Sequence, residues 1–351
     1  MIQHQIKLRL KSKQEKQLND WLFYLTGVYN WAVRKIEQDA KYGIYYTRYD
    51  FINLLAGHGK KMGIPSHTMQ GILDTVFTAW QRCFKKLGGK PKLKSNRRKL
   101  NSIPFPDPIS APVGNYIKLP GIGQVRFHKQ TLPVGKIKCG RIIKQASGWY
   151  LCLFIDAKRA PIERKVFGEI GIDPGYINLL TLSTGEKIPH PKELENSAIR
   201  LGQAQRGGNT KLVARISEKI KNQRKDRNHK TSYRLVQENS LIAFSKDNHI
   251  KIAKKLGKSV ASASHGELRK QLAYKSLAGG TRYIEVPSKN STRTCSTCGA
   301  LSGPTGFSML TVRHWKCDCG ITHDRDINAA VNTLMLGLVQ ASNFKELSLV
   351  R

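Results

Sequence analysis

Cys295-Ser-Thr-Cys298-Gly and Cys317-Asp-Cys319-Gly lead directly into Ile321-Thr-His323-Asp-Arg-Asp326-Ile-Asn328-Ala-Ala. Each cysteine pair is followed by glycine, the arrangement in which two tight turns offer thiolates to one tetrahedral ion, and Zn²⁺ is the ion such a set suits. Four thiolates leave no coordination position open to water, so the expected role of the metal is structural. His314 and His323 are the neighbours that could replace one thiolate. Beyond the cysteines, Val331, Leu334 and Leu338 carry an apolar helical period, which puts Asp326 at or near a helix start. A carboxylate there can face a second metal.

A partner acid stands far earlier, in Ile170-Gly-Ile-Asp173-Pro-Gly175-Tyr-Ile-Asn-Leu. An Asp that ends one apolar run and precedes a Gly turn fits a strand edge facing a cleft. The Gly-Ile-Asp-Pro-Gly strand, the two cysteine pairs and the His-Asp-Arg-Asp-Ile-Asn-Ala-Ala helix, in this order and over nearly the full length, resemble the TnpB family, transposon-encoded relatives of the type V CRISPR effectors. The resemblance implies a guide RNA that pairs with double-stranded DNA beside a short adjacent motif read by the protein, and a RuvC-type nuclease centre using Mg²⁺.

Charge points the same way. The chain has 351 residues with 60 Lys and Arg against 24 Asp and Glu, a net charge of +36, which is far more than solubility needs and favours a polyanionic partner. A hydrophobic content of 40% suits a folded chain of two or three domains. The sequence has no run of about 18 apolar residues and no visible signal peptide, so nucleic acid rather than a membrane is the expected polyanion, in a prokaryotic cytoplasm and at the nucleoid. Four of the seven cysteines fall in the cluster. Cys83, Cys139 and Cys152 stand in apolar surroundings and read as reduced core thiols.

In chain order, Ile6, Leu8 and Leu10 alternate as in a strand. Ser12 and Glu15 form a capping-box pattern ahead of a helix whose stripe is Leu18, Trp21, Leu22, Leu25, Val28, Tyr29, Ala32, Val33 and Ile36. A second helix follows Pro65-Ser66 through Trp80 and Phe84. Tyr29 and Trp80 read as core before they read as platforms for a base. Lys85, Lys86, Lys90, Lys92, Lys94, Arg97 and Arg98 then crowd a Gly- and Pro-containing stretch suited to tracking phosphates. Short alternating runs at 116–119, 124–127, 136–143 and 149–155 predict a small β-barrel.

Apolar strands at 168–182, 241–244 and 283–286 predict a second sheet, with a helix over 250–279. The helical stretch from 191 to about 238 has few apolar anchors, and its Lys211, Arg215, Arg224 and Arg227 read as nucleic-acid contacts. The fold class is therefore α+β and multidomain. A wedge-like β-barrel takes 1–10 and 100–160, and a helical domain with its basic linker is inserted at 11–99. An RNase H-like (RuvC) domain takes 167–290 and 321–351, with a zinc ribbon at 291–320.

In the family three acids serve the nuclease centre, and the resemblance carries two of them onto Asp173 and Asp326. Where relatives place a Glu at the end of a middle strand, this chain has Leu241-Ile-Ala-Phe244-Ser245-Lys246-Asp247. Ser245 is a weak, neutral ligand for Mg²⁺. The expected protein is an RNA-guided DNA binder with an impaired centre, like the nuclease-dead TnpB-like repressors. The alternative is an active endonuclease whose third acid has moved to Glu285 or Asp247.

Overall fold

Alternation in Ile2–Arg9 (β1) buries Ile6 and Leu8 and turns Lys7 and Arg9 outward. A computed structural model describes residues 1–95, 99–190, 192–246, 257, 259–305 and 308–349. The chain divides into two units, Met1–Arg159 and Ala160–Arg351. In the first, β1 pairs antiparallel with Gly148–Asp156 (β6) and, at Leu8 and Arg9, with Gly123–Phe127 (β4). It therefore joins two sets of strands into one six-stranded sheet, in the order Ser102–Phe105 (β2), Lys136–Gln145 (β5), β6, β1, β4, Tyr116–Leu119 (β3). Among the described residues no pairing joins β2 to β3, so the sheet keeps two edges instead of the hydrogen-bonded ring of a closed barrel. β2 was not foreseen because Pro104 cannot donate to a ladder, and an edge is where such a strand is tolerated.

The helices inserted after β1 share its core. Ser12–Asp39 (α1) buries Leu18, Trp21, Leu22, Leu25, Val28, Tyr29, Ala32 and Val33, with Ile36 packed at the margin. Its start is one residue earlier than the capping-box pattern predicts. Lys11 is the cap and its amide donates to Gln14 Oε1 at 3.1 Å, while Glu15 accepts from the Trp149 indole at 3.2 Å. Arg48–Leu54 (α2) and Ser66–Phe84 (α3) close over α1, with Phe51 and Leu73 fully enclosed. Gly121, at φ +74°, lies under Trp21, where a Cβ would come within 2.7 Å of the indole. Helices and sheet thus bury one continuous apolar core.

The second unit carries a five-stranded sheet in the order Arg282–Pro287 (β11), Asn239–Lys246 (β10), Gly168–Pro174 (β7), Asn178–Leu182 (β8), Lys187–Pro189 (β9). β7, β8 and β9 form an antiparallel meander, whereas β10 is parallel to both β7 and β11. Parallel neighbours need long crossovers, which Glu193–Arg206 (α4), Thr210–Glu238 (α5) and His265–Gly279 (α6) provide. Residues 250–256 of the expected 250–279 helix lie outside the described residues.

Strand alternation gives this sheet two different faces. On one, Ile170, Ile172, Ile242 and Phe244 pack with Leu235, Val236, Leu268 and Leu272 of α5 and α6. On the other, Leu241, Ala243 and Ile284 meet Leu334, Leu338 and Ala341 of Arg325–Leu349 (α7). Gly171 makes that second contact possible, since a Cβ there would lie 2.0 Å from the Ala330 carbonyl oxygen. A Cβ on Gly337 would lie 2.4 Å from the Ala243 Cβ, so α7 crosses β7 first and β10 next. Among the described residues no helix is long and apolar enough to cross a membrane.

Candidate metal centre

The four cysteines meet. Sγ atoms of Cys295, Cys298, Cys317 and Cys319 all lie within 4.8 Å of one another, with 3.8 Å between Cys295 and Cys319 and 3.6 Å between Cys298 and Cys317. Thiolates about 2.3 Å from a shared tetrahedral ion would stand about 3.8 Å apart, so the donor set fits such an ion. Two turns build it. The Gly299 amide donates to the Cys295 carbonyl and the Gly320 amide to that of Cys317, both at 2.9 Å. Both glycines are in the left-handed region, at φ +78° and +89°.

Burial opposes ionisation of Cys295, but the Cys298 and Thr297 amides and His323 favour its thiolate, and its pKa comes down to about 5. The Ala300 amide favours the Cys298 thiolate too, yet its contacts with Cys295 and Cys317 push its thiol up to about 12. The Cys317 thiol is lowered as well, first by its hydrogen bond from Ser302, so two of the four sulfurs favour the thiolate. His323 lies buried with Nε2 3.0 Å from Cys295 Sγ, and His314 is exposed on the short strand His314–Lys316 (β12). Neither histidine displaces a cysteine from the set.

The cluster is tied to α7 by a pair of residues that sequence reading passed over. Asn328 and Asn332 both donate through Nδ2 to the carbonyls of Ser291 and Thr294, at 2.7 to 3.3 Å, and Asn328 Oδ1 accepts from the Ser296 amide at 2.9 Å. Two asparagines four apart, set among the apolar positions of the first half of the helix, were the available signal. Asp324, at the end of Thr322–Asp324 (β13), caps the same helix by accepting from the Asp326 and Ile327 amides at 3.0 and 3.1 Å.

The acids are arranged differently. Asp173 shares the α7 side of β7 with Gly171, two residues before it, and Asp326 lies one turn before Ala330, which covers Gly171. Both expected aspartates therefore belong to the face that α7 covers. β10 pairs Phe244 with Ile172, and continuing that register sets Ser245 beside Asp173 on this face. Ser245 is fully buried, its hydroxyl has no partner among the described residues, and Val286 flanks it on β11.

Glu285 stands on the opposite face, beside Phe244. There it accepts from the Tyr283 hydroxyl at 3.1 Å and pairs with Lys246 at 3.3 Å and with Arg269 of α6 at 3.5 Å. Burial and this carboxylate hold the Tyr283 phenol well above its ordinary range. Asp247 lies outside the described residues. Among those described, no carboxylates join Asp173 and Asp326 in a group of three convergent ligands.

Two cations already face the acids at the start of α7. Lys187 of β9 donates to Asp324 Oδ2 at 2.6 Å, and Arg313 Nη1 lies 3.4 Å from Asp326 Oδ2.

Of the basic residues, Lys85, Lys86, Lys92, Lys211 and Arg215 are exposed. Lys90 pairs with Glu37 and hangs over the buried Trp80 ring, and Lys94 hangs over buried Tyr29. Asn30 fixes the backbone of Lys94 by accepting from its amide at 2.7 Å and donating to its carbonyl at 2.9 Å, so the basic stretch is docked on α1 at this point. Arg97 and Arg98 lie outside the described residues. Arg224 hydrogen-bonds the Ala261 carbonyl. Arg227 is an interior tie rather than a surface contact. Its guanidinium pairs with Glu193 at 3.3 Å and donates to the Ala263 carbonyl at 3.1 Å, and burial lowers its pKa.

Comparison with known proteins places these features in context. The family model "Cas12f1-like, TNB domain" matches residues 265–333, and "Probable transposase" matches 163–246. A Streptomyces pristinaespiralis protein named "Putative RNA-guided DNA endonuclease" is 30% identical over 305 residues, 80% of this chain and 73% of that one. InsQ of Escherichia coli K12, named in the same terms, is 23% identical over 304 residues, 78% of this chain and 75% of its own. The structure of a Cas12f1 complex with sgRNA and target DNA superposes with a TM-score of 0.56 at 14% identity, covering 91% of this chain and 82% of that one, a likeness of fold. With a 30%-identical relative matched over most of both chains, the cysteine cluster and the aspartates of β7 and α7 stand in a member of the TnpB family.

Proposed function

We propose that this chain binds a guide RNA and, through it, double-stranded DNA beside a short adjacent motif, and that its RuvC-like centre holds the DNA without cutting it. The observation that carries the reading is Ser245: a buried, neutral side chain sits beside Asp173 on the face that α7 covers. Two divalent ions on a phosphodiester would activate a water and stabilise the leaving oxygen, which takes several hard anionic ligands in one cleft. Asp173 and Asp326 are the residues that would hold such an ion. The remaining donors do not suit a pair of them, since Ser245 is uncharged and Glu285 faces away and is engaged by cations. Arg313 and Lys187 supply positive charge at the α7 start instead.

The four thiolates would hold Zn²⁺ in a closed structural site that clamps the ribbon to α7. A net charge of +36 supports a nucleic-acid partner, and Lys85, Lys86, Lys92, Lys211 and Arg215 are free to follow phosphates. The wedge and RuvC assignments rest on the two sheets and on the family. An active endonuclease is the second reading, and it needs its third acid from Asp247.

Purification from cells that express the neighbouring transcript is the test. A discrete RNA should co-purify, and the complex should retain duplex DNA matched to it with the same affinity in wild type and Asp173→Ala. Protein that emerges free of RNA and binds all duplexes alike would reject the reading.

A further inference from the structure

Outside the metal centre, the most unusual surface is on α1. Phe23, Gly27 and Trp31 follow one another at helical spacing of four, so they form one stripe, and Phe23 and Trp31 stand about 12 Å apart along the axis. Phe23 is 75% exposed and Trp31 36%. Between them a Cβ on Gly27 would meet nothing within 4 Å, so the glycine leaves a gap bracketed by two aromatic rings. The gap belongs to a groove of about 540 Å³ whose wall includes Lys94 and Lys99, with no Asp or Glu among the described residues that line it. Asn30 holds the Lys94 backbone in place, so the wall is anchored at that residue.

We propose that this groove is a seat for unpaired nucleotides, with bases against Phe23 and Trp31 and the backbone along Lys94 and Lys99. The inference rests on the chain being a nucleic-acid binder and adds where, and in what form, a strand is held. Aromatic rings give sequence-independent stacking to any base, while lysines track the phosphates. A wholly apolar partner would leave the two lysines without a counter-charge, whereas a single strand satisfies both walls. Gly27 is the residue that keeps the seat open. Glycine is otherwise a poor choice inside a long helix, where it is less favourable than Ala.

The test measures binding of the full-length protein to a twelve-nucleotide oligo-dT and to an abasic oligomer with the same phosphates. Wild type should prefer the base-bearing strand by about tenfold. Phe23→Ala and Gly27→Leu should both lose that preference while binding the abasic oligomer as wild type does. Phe23 is exposed, so its replacement leaves the fold intact, and melting curves check Gly27→Leu. A base preference that persists in both variants overturns the seat and leaves the guide-RNA reading standing. Failure of the wild type to bind either oligomer overturns both. A dimer in light scattering that reverts to monomer in Phe23→Ala assigns the groove to a second copy and also overturns the proposal.

Discussion

The second unit holds two places where sequence motifs bring potential metal ligands, and they end differently. At the cysteine cluster four identical donors converge within 4.8 Å. At the acid centre, two aspartates share a face with a buried serine, and Glu285 lies across the sheet. The difference lies in how each set is positioned. The cysteines sit on two local turns, so spacing within a few residues fixes their geometry. The acid centre draws its positions from β7, β10 and α7, where a one-residue change in strand register moves a side chain to the other face.

Replacing one thiolate should give the largest effect and tests the complete site. Cys317→Ser removes a ligand that Ser302 also supports through a 3.0 Å hydrogen bond to Sγ. Metal content should fall from one Zn²⁺ per chain to a small fraction, and amide exchange should rise at Ser291–Ser296 and along the first turns of α7, because Asn328 and Asn332 anchor there. Full metal retention would detach the cluster from its assigned role.

A smaller effect is expected from Glu285→Gln, which sharpens the incomplete site. The change weakens ion pairs with Lys246 and Arg269 that are partly exposed, so stability should fall by about 1 kcal/mol or less in a denaturant titration. Mn²⁺ affinity, read by calorimetry, should stay at the wild-type value. A loss of Mn²⁺ binding would return Glu285 to the centre. Smallest of all is Ser245→Ala. Removing a buried hydroxyl that has no partner among the described residues should leave the melting temperature unchanged or slightly raised.

Much of the fold was legible because its signals are local. The α1 stripe is buried as its periodicity indicates, and the β3 to β6 runs fall where alternation puts them. The spacing of the cysteine pairs with their glycines indicated one site, and the four sulfurs do converge. What stayed hidden is non-local. Glu285 sits two residues from Tyr283 in a strand where nothing in the sequence says which neighbour shares a face with Asp173. The parallel pairing of Ala243 with Ile284 decides it. Arg227 reads as one more surface cation in a basic helix, and only packing of α4 against α5 brings Glu193 to it. Lys187 and Arg313 meet the acids at the α7 start through the same kind of long-range arrangement.

Cleavage is the measurement that bears most directly on the central claim. The purified protein–RNA complex is incubated with matched linear duplex and Mg²⁺ or Mn²⁺, and the DNA is resolved under denaturing conditions. With Ser245 in place of the acid the duplex should remain bound and uncut. Cuts in the matched duplex that disappear in Asp173→Ala would contradict the account and make this chain a working nuclease.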